Sequence, residues 1–525
     1  MKNKIICLVL CIVALAASVV LLVDVINKDI PVINVPEKKE EKPDIPVKPD
    51  DAVSTVELSE DGVAAFADRI ESFVERLAYG NDKSYETEIK YILNNAKTVG
   101  DWLAEQSDAD GSAYYGKIST AFETAKSNAK NDSDFSQFVT NQLKALDEGA
   151  QGLDGERYPI FDTSSGGTLS LALLSINESL KYASFDHTNT FTVTVGGTAL
   201  LGDRIGTADD KSFKHEYDKS AYSFPFYKLS SILAHDDLSL ITLMAPFTES
   251  NATADGVLDP VKGHPSYAES LFGIDGVSIA PTEIMSYDKV GYDDTVASLI
   301  ANNISYSVQE GSKFIDTAFG KVVYITFDLT DTEVSDDRMN INRELVKQAV
   351  TTEKDNGADL VIVQLHWNTR LRESTAYSAD YLGTVTSPYE QHFDAYNKEI
   401  GREAIRAGAD LVVGTGAHVV QGIELYRDKY IVYSPGNLTY SGNLDPDMAN
   451  TAYAFMFSQT FTKTDDGVKP ASTRIIPIVN NSEDSPLCPT PVFDAKADEI
   501  VSMVISQSSY FNEPVTSIDY IKINK

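Results

Sequence analysis

Polar residues able to do chemistry stand just after predicted strands. ADLVIVQLHW (358–367) ends on His366, ADLVVG (409–414) runs into Thr415-Gly416-Ala417-His418, and KYIVYS (429–434) is followed by Gly436-Asn437. Glu283 comes just after the apolar run GVSIA (276–280). Imidazole and carboxylate groups move protons and ligate divalent metals near neutral pH. Beyond His366, Arg370 and Arg372 of TRLRES offer paired donors to a carboxylate or phosphate, against the alternative of a solvated loop. His366 and His418 carry a bland alternative too, that of a histidine bonded to backbone at a strand end. The other histidines, at 187, 215, 235, 264 and 392, lack metal-ligand spacing and are expected on the surface or in turns.

Strand ends matter because ligands of open α/β sheets bind beyond the carboxyl ends of strands, where loops converge. Further strands are predicted at 190–196, 238–244 and 321–329, with amphipathic helices at 341–356 and 391–407 between later ones. That alternation predicts an α/β domain. The chain has no Gly-x-Ser-x-Gly elbow, no Gly-x-x-x-x-Gly-Lys phosphate loop and no His-Glu-x-x-His.

GADLVIVQLHW and GADLVVGTGAHVVQGIELYRDKYIVYSPGNL resemble the CapA family, the bacterial capsule or poly-γ-glutamate synthesis proteins, over roughly residues 190–462. The resemblance implies a metallophosphoesterase-like fold, two facing sheets flanked by helices. It also exposes departures. The family's first strand ends Gly-Asp where this chain has Gly196-Gly197; its Asn-Leu-Glu is Thr242-Leu243-Met244; its Asn-Asn-His is Pro281-Thr282-Glu283; and of Gly-His-His-Pro-His only the last histidine remains, as His418. His366-Trp367 and Gly436-Asn437 are retained.

A two-metal hydrolase holds its ions roughly 4 Å apart with a bridging carboxylate. Glycine at position 197 has none to give, so a degenerate metal site is expected. Two readings follow. Either the protein is a non-catalytic component of capsule or poly-γ-glutamate assembly, or it is a metal-dependent phosphoesterase-like hydrolase with an altered ligand set, one divalent ion (Mn, Fe or Zn) held by His366, His418 and Glu283. Candidate binding residues are Arg370, Arg372 and Asn437. A third use of the fold is adhesion or scaffolding at the cell wall.

The amino terminus sets location. Lys2 and Lys4 precede nineteen uncharged residues, 5–23, long enough as a helix to cross a bilayer. Residues 1–27 therefore read as a single-pass anchor with the remainder extracellular. A cleaved signal peptide competes, since Ala14-Leu15-Ala16 resembles a cleavage site. Residues 28–55, rich in Pro and charge, read as an extended spacer. Apolar residues at helical spacing predict a small all-α bundle over 56–153, leaving 154–525 for the α/β domain. A net charge of -34 excludes nucleic acid as a partner. Expected partners are the membrane, an anionic surface polymer or capsule synthesis proteins. Cys488 alone lies outside the anchor, so no internal disulfide forms in the exported part.

Overall fold

The structure is a computed structural model. It describes residues 55–57, 95, 120, 123, 169–182, 185–220, 224–257, 260–330, 336–367, 388–440, 449–465, 467–480, 486–509, 511 and 514–524. The expected anchor, most of the spacer and nearly all of the expected bundle lie outside these residues, as do Arg370 and Arg372. Among the described residues no helix is long and apolar enough to cross a membrane. At the boundary between spacer and bundle, β1 (Thr55–Glu57) pairs in parallel with β19 (Lys522–Asn524). The start of the expected bundle is thus a strand, because β-branched Thr55 and Val56 find a partner near the far end of the chain.

Two sheets make the α/β part. In the first, β2 (Thr190–Leu200), β4 (Leu238–Leu243), β6 (Gly276–Ser278) and β7 (Ser305–Ser307) run parallel in that order, while β15 (Tyr453–Thr464) and β16 (Gly467–Val479) form an antiparallel hairpin on the other side of β2. The short β14 (Asn437–Tyr440) also pairs with β2, and β17 (Thr490–Pro491) and β18 (Asp519–Tyr520) pair with β16. A separate ribbon joins β3 (Asp203–Arg204) to β5 (Val261–Lys262).

The second sheet has the order β12 (Ile423–Tyr426), β13 (Lys429–Val432), β11 (Leu411–Thr415), β10 (Leu360–His366), β9 (Lys321–Asp328) and β8 (Gly311–Asp316). Its central strands β9, β10, β11 and β13 are parallel. Parallel strands need both faces covered, which is why β10 reads LVIVQLH with every residue buried.

Alternate side chains fill three layers. Val193, Val195, Leu238 and Leu240 of the first sheet meet Val322, Tyr324, Leu360, Ile362 and Val413 of the second in one core between the sheets. On the outer face of the first sheet, α1 (Leu169–Tyr182), α2 (Phe213–Ser220), α3 (Ser230–Leu233) and α4 (Asp288–Ala301) supply Leu174, Phe213, Ile232 and Leu299 to a second core. On the outer face of the other sheet, α5 (Asp336–Asp355) and α6 (Pro388–Ala407) pack through Val346, Val350, Ile400 and Ala404. Val504 of α7 (Ala495–Ser508) joins the core between the sheets. The α/β expectation, two facing sheets flanked by helices, describes this arrangement. Helices α5 and α6 match the predicted 341–356 and 391–407 except for their earlier starts.

Candidate functional site

Position 197 sets the geometry. The sequence predicts a strand ending at Gly196, whereas β2 continues to Leu200 through a register shift between Val195 and Thr198. The reason is β14, which lies against the second half of β2, with Asn437 opposite Thr198. The Thr198 amide donates to the Gly436 carbonyl at 3.2 Å. A Cβ on Gly197 would stand 1.8 Å from that same oxygen, and one on Gly196 would stand 2.4 Å from Leu438 Cδ1. Gly436 itself takes φ +84°, a conformation natural to glycine. The two glycines of β2 thus admit a backbone where the resemblance implies a side chain.

Beside this contact stands His418. Gly416, at φ +101°, turns the chain after β11, and His418 takes a left-handed φ of +61°, uncommon for a residue with a side chain. Its Nδ1 lies 2.9 Å from Asn437 Oδ1. An amide oxygen only accepts, so the ring proton sits on Nδ1 and the Nε2 lone pair faces away from Asn437. The ring partner is therefore a side chain, and the expectation of a backbone bond is corrected. Asn437 is fully buried and its Nδ2 has no partner.

The His418 ring meets Tyr440 edge to face, centroids 5.1 Å apart, and Arg204 Nη2 donates to the Tyr440 hydroxyl. Burial pushes the His418 pKa down. The Asn437 hydrogen bond and the charge of Glu283 oppose this, while His366 and Arg204 add to it. His366, Glu283 and Arg204 thus all bear on one imidazole. Buried His366 caps β10 with its Nδ1 3.2 Å from Thr415 Oγ1. Its neighbour Trp367 points the other way, donating to the Tyr433 carbonyl at 3.2 Å and stacking on the Tyr433 ring. Gly414 makes room, since a Cβ there would meet Trp367 Nε1 at 2.1 Å.

Sequence reasoning overlooked the floor beneath these residues. Leu360 and Ile362 face the core between the sheets, so by alternation Gln364 and His366 face it too. On β9, Val322 and Tyr324 place Thr326 on the same face, in register with Gln364. Thr242 follows Leu238 and Leu240 in the same way on β4. Gln364 Nε2 and Oε1 and Thr326 Oγ1 are buried without partners. The available signal was a glutamine inside the apolar run LVIVQLH, where a hydrophobic residue is the norm.

The donor set decides the fit to a metal. Among the described residues no three His, Cys, Asp or Glu side chains stand where they could hold an ion. His366 and Glu283 both bear on the His418 ring without the three forming the expected ligand set, and position 197 offers backbone where the resemblance implies a bridging carboxylate. The residues present do not fit a binuclear centre.

His235 corrects a sequence expectation. It is buried rather than on the surface, bonded through Nδ1 to the Ser231 carbonyl at 2.5 Å and through Nε2 to Ser179 Oγ at 3.2 Å. Burial pushes its pKa down to about 4. Cys488 is also buried, and burial pushes its thiol up to about 11, which leaves it protonated and unreactive.

Comparison with known proteins places these features. Residues 192–441 match the family model described as "Bacterial capsule synthesis protein PGA_cap". The chain is 23% identical over 249 residues to a capsule biosynthesis protein CapA of Bacillus anthracis, covering 42% of this chain and 51% of that one. It is 25% identical over 200 residues to a PGA biosynthesis protein CapA of Bacillus subtilis, covering 36% of this chain and 43% of that one. The chain spans about half the length of these relatives. Among solved structures it is similar to the calcineurin-like phosphoesterase YfkN from Bacillus subtilis, with a TM-score of 0.26 and 11% identity over 55% of this chain and 90% of that one.

Proposed function

Because residues 192–441 belong to the bacterial capsule synthesis (CapA) family, we propose that this protein is a membrane-anchored, extracytoplasmic component of capsule or poly-γ-glutamate assembly that binds its ligand in the cleft between the sheets without efficient hydrolysis. One observation carries the non-catalytic part: the Gly436 carbonyl lies 1.8 Å from where a Cβ at position 197 would stand. A two-metal mechanism needs an anionic bridge to hold two cations together. Here a neutral carbonyl, already accepting from Thr198, fills that space.

The anchor rests on the uncharged run 5–23 following two lysines. The test combines two measurements on the full-length chain. Elemental analysis after manganese, iron or zinc loading reads metal content, and hydrolysis of bis-p-nitrophenyl phosphate reads activity. Substoichiometric metal and background hydrolysis are expected. A stoichiometric ion lost in His366→Ala or His418→Ala, together with turnover, would establish the hydrolase reading instead.

A further inference from the structure

We propose that the outer side of α1 is the seat of segment 56–153 of the same chain, so that this segment and the α/β domain form one body at the end of the spacer. One side of α1 faces the first sheet and its connections. Glu178 pairs with Arg474 of β16, Ser179 Oγ lies 3.2 Å from His235 Nε2, and the Tyr182 hydroxyl donates to Asp237 at 3.0 Å. By the helical repeat, Leu169, Leu173, Ile176, Asn177 and Leu180 fall on the other side. A helix lying on a sheet normally turns a polar stripe to water there. On the same face of the same sheet, α4 does so through Lys289 and Asp293, whose side chains are 80% and 54% exposed. On α1 the corresponding side is apolar apart from Asn177, and Ile176 and Asn177 are 0% and 3% exposed. No residue of α1 whose burial is described is exposed. A further layer of this chain therefore lies over it.

The path of the chain selects the occupant. Segment 56–153 departs from β1, which is held by β19. Strand β19 follows β18 closely, and the charge of Asp519 in β18 acts on Lys181 of α1. At its other end the segment returns through 154–168 to Leu169, the first residue of α1. Both of its ends thus stand at this helix. Within the segment the described residues Asn95, Thr120 and Glu123 are helical, Asn95 being 3% exposed and the other two on the surface. Asn95 falls within the stripe Ile89, Ile92, Ala96 and Val99, so a helix there has one buried apolar face. Such helices take most of their stability from packing that face, and the outer stripe of α1 offers it an apolar surface. A second copy would have to displace a segment tethered to α1 at both ends. The seat lies on the side of the first sheet away from the second, so its occupant is independent of what the cleft between the sheets binds.

The experiment uses the full-length chain with a photoreactive side chain on the outer side of α1, as Leu180→p-benzoylphenylalanine. Isotope-labelled and unlabelled chains are mixed, irradiated and digested, and mass spectrometry identifies the residue captured. A product joining position 180 to a residue of 56–153 in the same chain is expected. Capture of a second copy, capture of α/β residues only, or no capture at all would overturn the inference. A second variant guards against a probe that disturbs folding. Asn177 Oδ1 is buried without a partner, so Asn177→Leu removes an unmet hydrogen bond and adds apolar contact to the seat. Its Tm should rise by about 2 °C, and trypsin should cut 56–153 more slowly than in the parent chain. A lowered Tm, or unchanged cutting within 56–153, would place the cover of α1 elsewhere.

Discussion

The Gly436 carbonyl oxygen occupies the space a side chain at Gly197 would take, 1.8 Å from the ideal Cβ position. Gly197→Ala must push β14 off β2 and break the Thr198 to Gly436 hydrogen bond. Overpacking against side chains costs about 1–3 kcal/mol, and backbone yields less readily. A loss of about 3 kcal/mol or more is expected in urea denaturation. Gly197→Asp should be at least as destabilising and should gain no metal by elemental analysis. An aspartate variant that folds normally with a bound ion would show that the carbonyl gives way.

Burial lowers the pKa of His418, and its hydrogen bond to Asn437 opposes that shift. Asn437→Asp keeps the shape and the Nδ1 bond but adds a negative charge beside the ring. An opposite charge at this distance favours the imidazolium, so the His418 pKa should rise by about 1–3 units, read from its ring proton shifts in an NMR titration. An unmoved titration would mean that the ring leaves Asn437 in solution.

Acid should loosen the outer core through His235. Its folded pKa, pushed down to about 4, lies below the ordinary value of 6.5. The unfolded chain therefore binds the proton first, and the stability held above pH 6.5 is lost as pH falls toward 4. The full difference corresponds to about 3 kcal/mol. His235→Gln should flatten the melting temperature between pH 6.5 and 4 relative to the parent chain. An unchanged slope would assign the acid sensitivity elsewhere.

Helix α1 is tied to β16 by a buried ion pair. Arg474 Nη1 donates to Glu178 Oε1 at 2.7 Å and Nη2 bonds the other oxygen, with Glu178 2% exposed. Burial pushes the Glu178 carboxyl up, but Arg474 more than offsets this and holds it below its usual range. Glu178→Gln leaves a buried guanidinium without its counter-charge and should cost about 3–5 kcal/mol in chemical denaturation. A cost under about 1 kcal/mol would mean that water reaches the pair as it does at a surface.

Much of the fold was legible because apolar runs and their spacing are local properties. The central strands β4, β9, β10 and β11 and the helices α5 and α6 were all visible as runs of the right period. The hairpin of β15 and β16 was not predicted, since YAFMFSQTFTKT and GVKPASTRIIPIV mix polar residues into strands whose pairing settles their state. His366, His418 and Asn437 could be singled out from their places at strand ends, and the structure sets His418 against Asn437. Arg204, Tyr440, Thr326 and Gln364 were missed because they come from distant or apolar stretches and gain meaning only from what faces them.

The order of residues alone determined the alternation of strands and helices, the charge, and a glycine at position 197, which offers no side chain to any ligand, because each is written in residue type and spacing. Only the tertiary structure decided that a carbonyl from β14 closes over that position and that His418 spends its Nδ1 on Asn437. It alone also leaves Gln364 and Thr326 side by side without partners. Those outcomes depend on strands far apart in sequence meeting at one level of the cleft, and register between distant strands is set by packing rather than by any local run of residues.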